Sequence, residues 1–224
     1  MTDADERLSA TPRTTLRRMK EKGRRDRAAL FDVLRAAFVC HLGVLVDDAP
    51  MVVPTVYGFD DRHLYLHGSV ASRSLTTDTE VCVTVTVVDG LVLARSVFEH
   101  GINYRSAMIY GRPRWVTDAD EKLHGLRLLT EHVAPGQWDH ARRPNRRELA
   151  ATALLALPLA EASVKTRSGP PDDGDSPDAA LGLWAGELPL VARWEQPLTD
   201  PALPPEATAP AHVAARAGTR ADRA

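Results

Sequence analysis

The sequence predicts a mainly β chain, an antiparallel barrel or α+β domain with a few accessory helices, and three observations carry that prediction. Short apolar stretches of alternating pattern recur at close spacing through residues 38–116 and again at 154–167. Helical stretches fall between groups of strands instead of alternating with each one, which argues against a doubly wound parallel sheet. Turn-forming runs such as DDAP (47–50) and DDRH (60–63) separate the strands.

The elements follow in chain order. Between Arg25 and Ala37, the residues Ala29, Leu30, Val33, Leu34 and Ala37 recur at three-to-four spacing and predict an amphipathic helix. From Phe38 the period becomes two. FVCHLGVLV (38–46) and MVVPTVYGF (51–59) predict a β-hairpin, and LYLHGS (64–69) the next strand. Pro54 cannot donate to a ladder, so it marks an edge, a bulge or a close approach to a ligand. VCVTVTVV (81–88) is the clearest strand, with Val81, Val83, Val85 and Val87 on one face. Asp89-Gly90 reads as a turn before LVLARSVF (91–98), and NYRSAMIYGRPRWV (103–116) adds further strand. ADEKLHGLRLLTEHV (119–133) predicts a helix stopped by Pro135 and Gly136; NRRELAATA (145–153) predicts another, capped by Asn145. LLALPLAEASVKTR (154–167) returns to strand, GPPDDGDSPD (169–178) is rich in turn residues, and LGLWAGELPLVARWE (181–195) resumes order.

The 224 residues, 44% of them hydrophobic, suffice for one domain with a sizeable core, expected over residues 24–196. Residues 1–23 form a basic N-terminal arm in this reading. Eight basic residues crowd Arg13 to Arg27, and a solvated arm or helix face is expected there. Residues 197–224 contain nine alanines and five prolines, half of the stretch, and are expected to be a disordered tail. A net charge of −2 gives no electrostatic argument for a nucleic-acid partner. No apolar run approaches the roughly 20 residues that cross a bilayer, and MTDADERLSA lacks an apolar leader segment, so a soluble, cytoplasmic chain with no membrane partner is expected. Cys40 and Cys82 sit in apolar stretches and read as buried free thiols. The pairs His63/His67 and His124/His132 lack a third ligand at a recognisable spacing, so no metal site is predicted. Ser96, Ser106 and His100 lack the nucleophile elbow of a hydrolase.

One stretch carries chemistry. In HLYLHGSVASRSL (63–75), His63, Tyr65 and His67 share one strand face, so the last two project beside whatever the following turn holds. Gly68 permits close backbone approach, Ser69, Ser72 and Ser74 offer hydroxyls, and Arg73 offers a planar fork of donors. A helix starting near Ser72 would add free N–H groups. The set suits a phosphate monoester and equally an ordinary capped turn; without a Walker or G-x-G-x-x-G pattern, spacing alone names no nucleotide.

Strand order and these motifs resemble the split-barrel family of pyridoxamine 5'-phosphate oxidase, and within it the nitroimidazole-reductase-type flavin-nucleotide-binding branch. The resemblance rests on residues 38–75, on VCVTVTVVDGLVLARS, on NYRSAMIYGRPRWV, and on SVKTRSGPPDD followed by LWAGELPL, from about Arg24 to Pro189. It implies a six-stranded FMN-binding split barrel and a homodimer with FMN at the subunit interface. It implies further that Val53, Pro54 and Thr55 run along the isoalloxazine, that His67, Gly68 and Ser69 end the next strand, and that Ser72, Arg73 and Ser74 form the phosphate turn. Tyr104, Arg105 and Ser106 reach the cofactor, often that of the partner subunit. The oxidase has a basic residue where this chain has Ser74, which leaves phosphate charge to Arg73, and its pyridoxamine-phosphate-binding C-terminal pattern is not recognisable, so vitamin B6 is not the expected substrate. His67 is implied as a proton donor to a reduced substrate or as a hydrogen-bonding neighbour of the flavin. Trp184 stacks on flavin or substrate, or is a core or interface residue. Lys165 and Arg167 pair with Asp172 and Asp173, or rim a site for an anionic substrate. The implied function is an oxidoreductase passing electrons from a reduced nicotinamide to a small nitro, quinone or enone acceptor. A non-catalytic flavin-binding protein and a haem- or deazaflavin-binding split barrel are the alternatives.

Overall fold

The structure, a computed structural model, describes residues 7–75 and 79–222. Asp26 caps the first helix, α1 (Arg27–Ala36), its carboxylate accepting from the Ala29 N–H at 2.7 Å. Leu30, Val33 and Leu34 turn inward from α1, as the three-to-four spacing predicts. The strands are β1 (Gly23–Arg24), β2 (Val39–Val46), β3 (Ala49–Phe59), β4 (His63–Ser69), β5 (Val81–Leu93), β6 (Gly101–Gly111), β7 (Arg114–Trp115), β8 (Thr152–Pro158), β9 (Glu161–Arg167) and β10 (Gly186–Pro189). They pair antiparallel in the order β1-β9-β6-β5-β2-β3-β4-β8-β7, with β10 on the free end of β5.

This order makes a split barrel. β8 and β9 are consecutive in the chain, joined by Leu159 and Ala160, yet lie at opposite ends of the strand order with no ladder between them among the described residues. The sheet curls until both ends face one core. Leu155 and Leu157 of β8 share a single cluster with Ala162 and Val164 of β9, Leu42, Val83, Ile109 and the β4 residues Leu64 and Leu66. The mainly β barrel with accessory helices expected from the sequence is the fold observed.

Strand β3 serves two ladders. Ala49–Val56 pair with β2, whereas Tyr57–Phe59 pair with β4. The changeover is pinned from both sides. The Tyr57 ring is fully buried, and its hydroxyl donates to the carbonyls of Leu34 (2.8 Å) and Ala37 (2.6 Å) at the C-terminal end of α1. On the other side, α2 (Ala119–Val133) crosses Gly58 so closely that an added Cβ would stand 2.4 Å from the Leu129 nitrogen. Beneath α2, Tyr65, Val116, Leu129, Leu154 and Ala156 form a second cluster. β8 is therefore apolar on both faces, which explains its unbroken apolar run. The turn α3 (Gln137–His140) follows α2. Asn145 and Glu148 complete a capping box on α4 (Arg146–Ala151).

Three expectations are corrected. Asp89-Gly90 is not a turn: β5 runs through it, and the register against β6 shifts between Val88 and Gly90, a bulge. Bulges and turns recruit the same residue types. The N-terminal segment is not a solvated arm from residue 7 onward. Leu8 is buried in the core, its N–H donates to the Arg25 carbonyl at 2.7 Å, and the Arg13 guanidinium bridges Glu80 and Glu161; residues 1–6 lie outside the described residues. The Ala/Pro-rich tail is not disordered through Asp222. Trp194 packs on Phe38 and under the Arg216 guanidinium, 4.1 Å from the ring centroid. Arg216 also donates to the Val133 carbonyl at the end of α2, and His212 in α5 (Ala211–Ala214) bonds Gln137. Composition misled here because the docking uses backbone bonds, one cation–π contact and a helix cap, and little apolar area.

Two outcomes follow. Gly58→Ala destabilises the fold by about 2–3 kcal/mol, because the obstacle is helix backbone and not a movable side chain. Gly101→Ala, with nothing within 4 Å of an added Cβ, stays close to wild type in urea titration; equal midpoints for the two would remove the close approach. Deleting residues 197–224 lowers Tm by on the order of 5 °C, given a docking contribution of ~1–2 kcal/mol. An unchanged Tm would show that the segment does not dock.

Candidate functional site

The change of ladder in β3 splits the sheet between β3 and β4. Beyond Tyr57↔Leu66, β3 and β4 pair no further: residues 49–56 stay with β2, while His67, Gly68 and Ser69 stay with β8 opposite Leu154, Ala153 and Thr152. One lip is the free edge of β3 carrying Val53, Pro54 and Thr55, and Pro54 is tolerated because it sits on that edge. The other lip is the end of β4. The loop after β4 spans the wide end, away from the Tyr57↔Leu66 fork. Arg73 reaches back to the Asp47 carboxylate in the β2–β3 turn, where Asp47 and Asp48 both hold positive φ (51° and 60°).

The loop is tightly wound. Ser72 N–H bonds the Ser69 carbonyl at 2.9 Å, Ala71 N–H bonds Ser69 Oγ at 3.2 Å, and the Ser72 and Ser74 hydroxyls meet at 3.0 Å. Leu75 anchors it in the core, and an added Cβ at Gly68 would lie 2.6 Å from the Leu75 side chain. Only one 3-10 turn, Arg73–Leu75, stands where a helix start near Ser72 was expected, so no helix dipole acts here. Residues 76–78 lie outside the described residues.

His67 is the distinctive group. His63, Tyr65 and His67 do share a face, opposite the core residues Leu64 and Leu66. The Nδ1 of His67 is the one buried side-chain nitrogen or oxygen among the described residues with no hydrogen-bond partner. Burial pushes this imidazole below its ordinary pKa, favouring the neutral ring. Buried polar atoms without partners are rare; this one lies on the β4 face that carries Tyr65, across the ladder from Leu154, beside the point where β3 leaves β4. The thiols offer no competing nucleophile: burial pushes Cys40 up to about 12 and Cys82 upward as well.

Within one chain the other expected site residues lie elsewhere. Tyr104, Arg105 and Ser106 pair with Val88, Val87 and Thr86 on β5. Arg105 is held by Asp89 at 2.7 and 3.0 Å. Trp184 is 69% exposed and lies against Gly186, whose strand pairs with the far end of β5 from the Asp47 turn. Lys165 and Arg167 do not pair with Asp172 and Asp173. Arg167 donates to Asn103 Oδ1 at 2.6 Å, and the buried Asp173 accepts from Arg95.

Sequence reasoning passed over His41. It lies directly opposite Pro54 in the β2–β3 ladder and opposite Thr84 on β5, on the outer barrel face. It lines a slot of about 330 Å³ walled by Phe38, Val39, Val88, Leu190 and Ala192 and ending at Asp222. The signal available was a lone imidazole on the outward positions of an apolar strand.

Residues 26–166 match the sequence profile of the pyridoxamine 5'-phosphate oxidase family. The chain belongs to that family. Two solved structures extend the likeness past the profile. The flavocytochrome Anf3 from Azotobacter vinelandii is 34% identical, with 94% of this chain and 100% of that one covered and a TM-score of 0.86. The FAD and heme binding protein from Mycobacterium smegmatis is 35% identical, with 89% and 98% covered and a TM-score of 0.84. A candidate 5-nitroimidazole antibiotic resistance protein from Bacteroides thetaiotaomicron shares the fold at 21% identity and a TM-score of 0.55, over 64% of this chain and 85% of that one. No curated protein matches this chain.

The depressed pKa of His67 makes stability depend on pH. Folding keeps the ring neutral where the unfolded chain, at the ordinary value near 6.5, takes up a proton. The contribution is full above about pH 6.5 and is lost as pH falls through the folded value. His132, half-buried with Nε2 2.8 Å from the Ala37 carbonyl, shifts the same way through desolvation. Urea titrations of the apoprotein therefore lose stability in acid, and His67→Gln flattens part of that slope; an identical slope in the variant would contradict a buried neutral His67.

Proposed function

We propose that this chain is a flavin-binding redox protein that carries FAD in the β3–β4 cleft together with a haem. The observation that carries the flavin half is the unpartnered, buried Nδ1 of His67 on β4, next to the split where β3 presents free strand backbone. The Val53–Thr55 edge offers main-chain groups to a planar ring, and Ser69, Ser72, Ser74 and Arg73 offer hydroxyls and one guanidinium to phosphate. His67 accepts or donates one hydrogen bond there, and its neutral ring is suited to handling a proton beside the cofactor. FAD is preferred over the FMN that the family resemblance implies, because a relative 35% identical over nearly its whole length is described as binding FAD and heme.

The haem half draws on the same two relatives, whose likeness runs well beyond the family profile into the C-terminal segment that walls the His41 slot. When bound, a flavin links a two-electron donor such as a reduced nicotinamide to one-electron chemistry, and a haem iron supplies the one-electron centre that serves a small-molecule acceptor. A second copy of the chain belongs to this reading. Tyr104, Ser106 and Trp184 reach a cleft only if a partner subunit supplies them, and Val88, Leu91, Ile102 and Met108 expose apolar surface on β5 and β6.

Purified protein is expected to show both a flavin spectrum and a Soret band, and acid release should yield FAD. Arg73→Ala should weaken flavin-nucleotide binding about tenfold, since a charge-assisted phosphate contact of ~1.5–3 kcal/mol is offset by up to ~1 kcal/mol for leaving the exposed Asp47 pair. Riboflavin affinity should stay unchanged. Equal losses for riboflavin and FAD, or no flavin binding at all, would overturn the assignment.

A further inference from the structure

We infer that His41 is the axial ligand of the haem and that the slot walled by the C-terminal segment is its seat, an inference that rests on the haem half of the function proposed above. Three observations converge on it. The first is the imidazole itself: His41 lines the slot, and it makes no hydrogen bond to any described residue. Among the other histidines, His132 is bonded to the Ala37 carbonyl, His212 to Gln137 and His100 to the Ala94 N–H, His63 and His124 sit beside Asp60, and His140 packs on the His212 ring. His67 lies beside the β3–β4 split and not in this slot. An exposed imidazole with no protein partner, beside an apolar wall, is open to a haem iron.

The second observation is the lining. Phe38 and Val39 from the α1–β2 junction, Val88 from β5, and Leu190 and Ala192 from the chain after β10 offer a largely apolar surface, open on one side. That suits the macrocycle. At one end Asp222 is held by Arg220 at 2.7 Å and lies 3.8 Å from Arg105. Both guanidinium groups at this end are already paired, Arg220 with Asp222 and Arg105 with Asp89, so the charge there is balanced. The slot exists only because the tail docks, through the Trp194–Arg216 contact and the bond from Ala221 N–H to the Ala192 carbonyl.

The third observation is position. His41 is the direct cross-strand partner of Pro54, on the β3 edge expected to line the flavin ring. Neighbouring strands lie about 4.8 Å apart, so the slot and the flavin cleft are separated by roughly one strand. A haem ligated by His41 therefore stands next to the flavin within one subunit.

The test is haemin titration of the FAD-loaded full chain, read by the Soret and visible bands, with flavin content measured separately. Wild type should bind one haemin per chain with the spectrum of a histidine-ligated haem. His41→Ala should shift that spectrum and weaken binding by at least about tenfold, the loss that even outer partners of a metal ligand cause, while flavin content and circular dichroism stay at wild-type values. His41→Gly with added imidazole should recover the wild-type spectrum, and His124→Ala should leave it unchanged. Wild-type haemin affinity and spectrum in His41→Ala would overturn the ligand assignment and leave the haem reading standing. Flavin binding without any haemin binding by wild type would overturn both.

Discussion

The structure depends on one strand belonging to two ladders. β3 leaves β2 and joins β4 between Val56 and Tyr57, and the change is enforced from both sides. A buried tyrosine hydroxyl is tied to the last carbonyls of α1, and a glycine admits the α2 backbone almost to contact. Were β3 and β4 paired along their full lengths, the β3 edge from Val53 to Thr55 would be covered by the end of β4. The split creates a free backbone edge beside a buried imidazole atom without a protein partner. A fold that leaves these two features side by side is prepared for a flat, hydrogen-bonding ligand with an anionic tail.

The two candidate cofactor seats differ in chemistry although they lie a strand apart. The cleft is polar at its wide end, with three serine hydroxyls and one arginine already engaged by Asp47. The slot is apolar, with a single imidazole and a polar end of balanced charge at Asp222. Their walls also come from different parts of the chain. The cleft is built within the part that matches the family profile, whereas the slot needs residues 190–222, outside it. A core fold common to the family thus acquires a second pocket from a docked C-terminal extension.

Much of the fold was legible because the barrel strands obey simple periodicity. Val81, Val83 and Val85 point inward as their alternation requires, and the Asp26 and Asn145 caps sit where their residue types predict. Asp89-Gly90 misled because local chemistry cannot tell a bulge from a turn; only the partner strand decides. The tail misled for the opposite reason, since Arg216 and Trp194 are far apart in sequence and nothing local announces their contact. At the site, the serine-arginine turn and His67 were readable from one contiguous stretch. His41 was not, because its meaning comes from Pro54 across the ladder and from walls up to 181 residues further along the chain. Tyr104, Arg105 and Ser106 lie across β5 and β2 from the β3 edge, and Trp184 precedes a strand paired with the far end of β5, placements that sequence order does not reveal.

The most direct measurement is a crystal structure of the chain grown with FAD. The isoalloxazine density should run along Val53–Thr55 with a ring atom at hydrogen-bond distance from His67 Nδ1, and phosphate density should lie against Ser69, Ser72, Arg73 and Ser74. A flavin bound away from both lips of the cleft, with His67 Nδ1 still unpartnered, would contradict the origin assigned to the split.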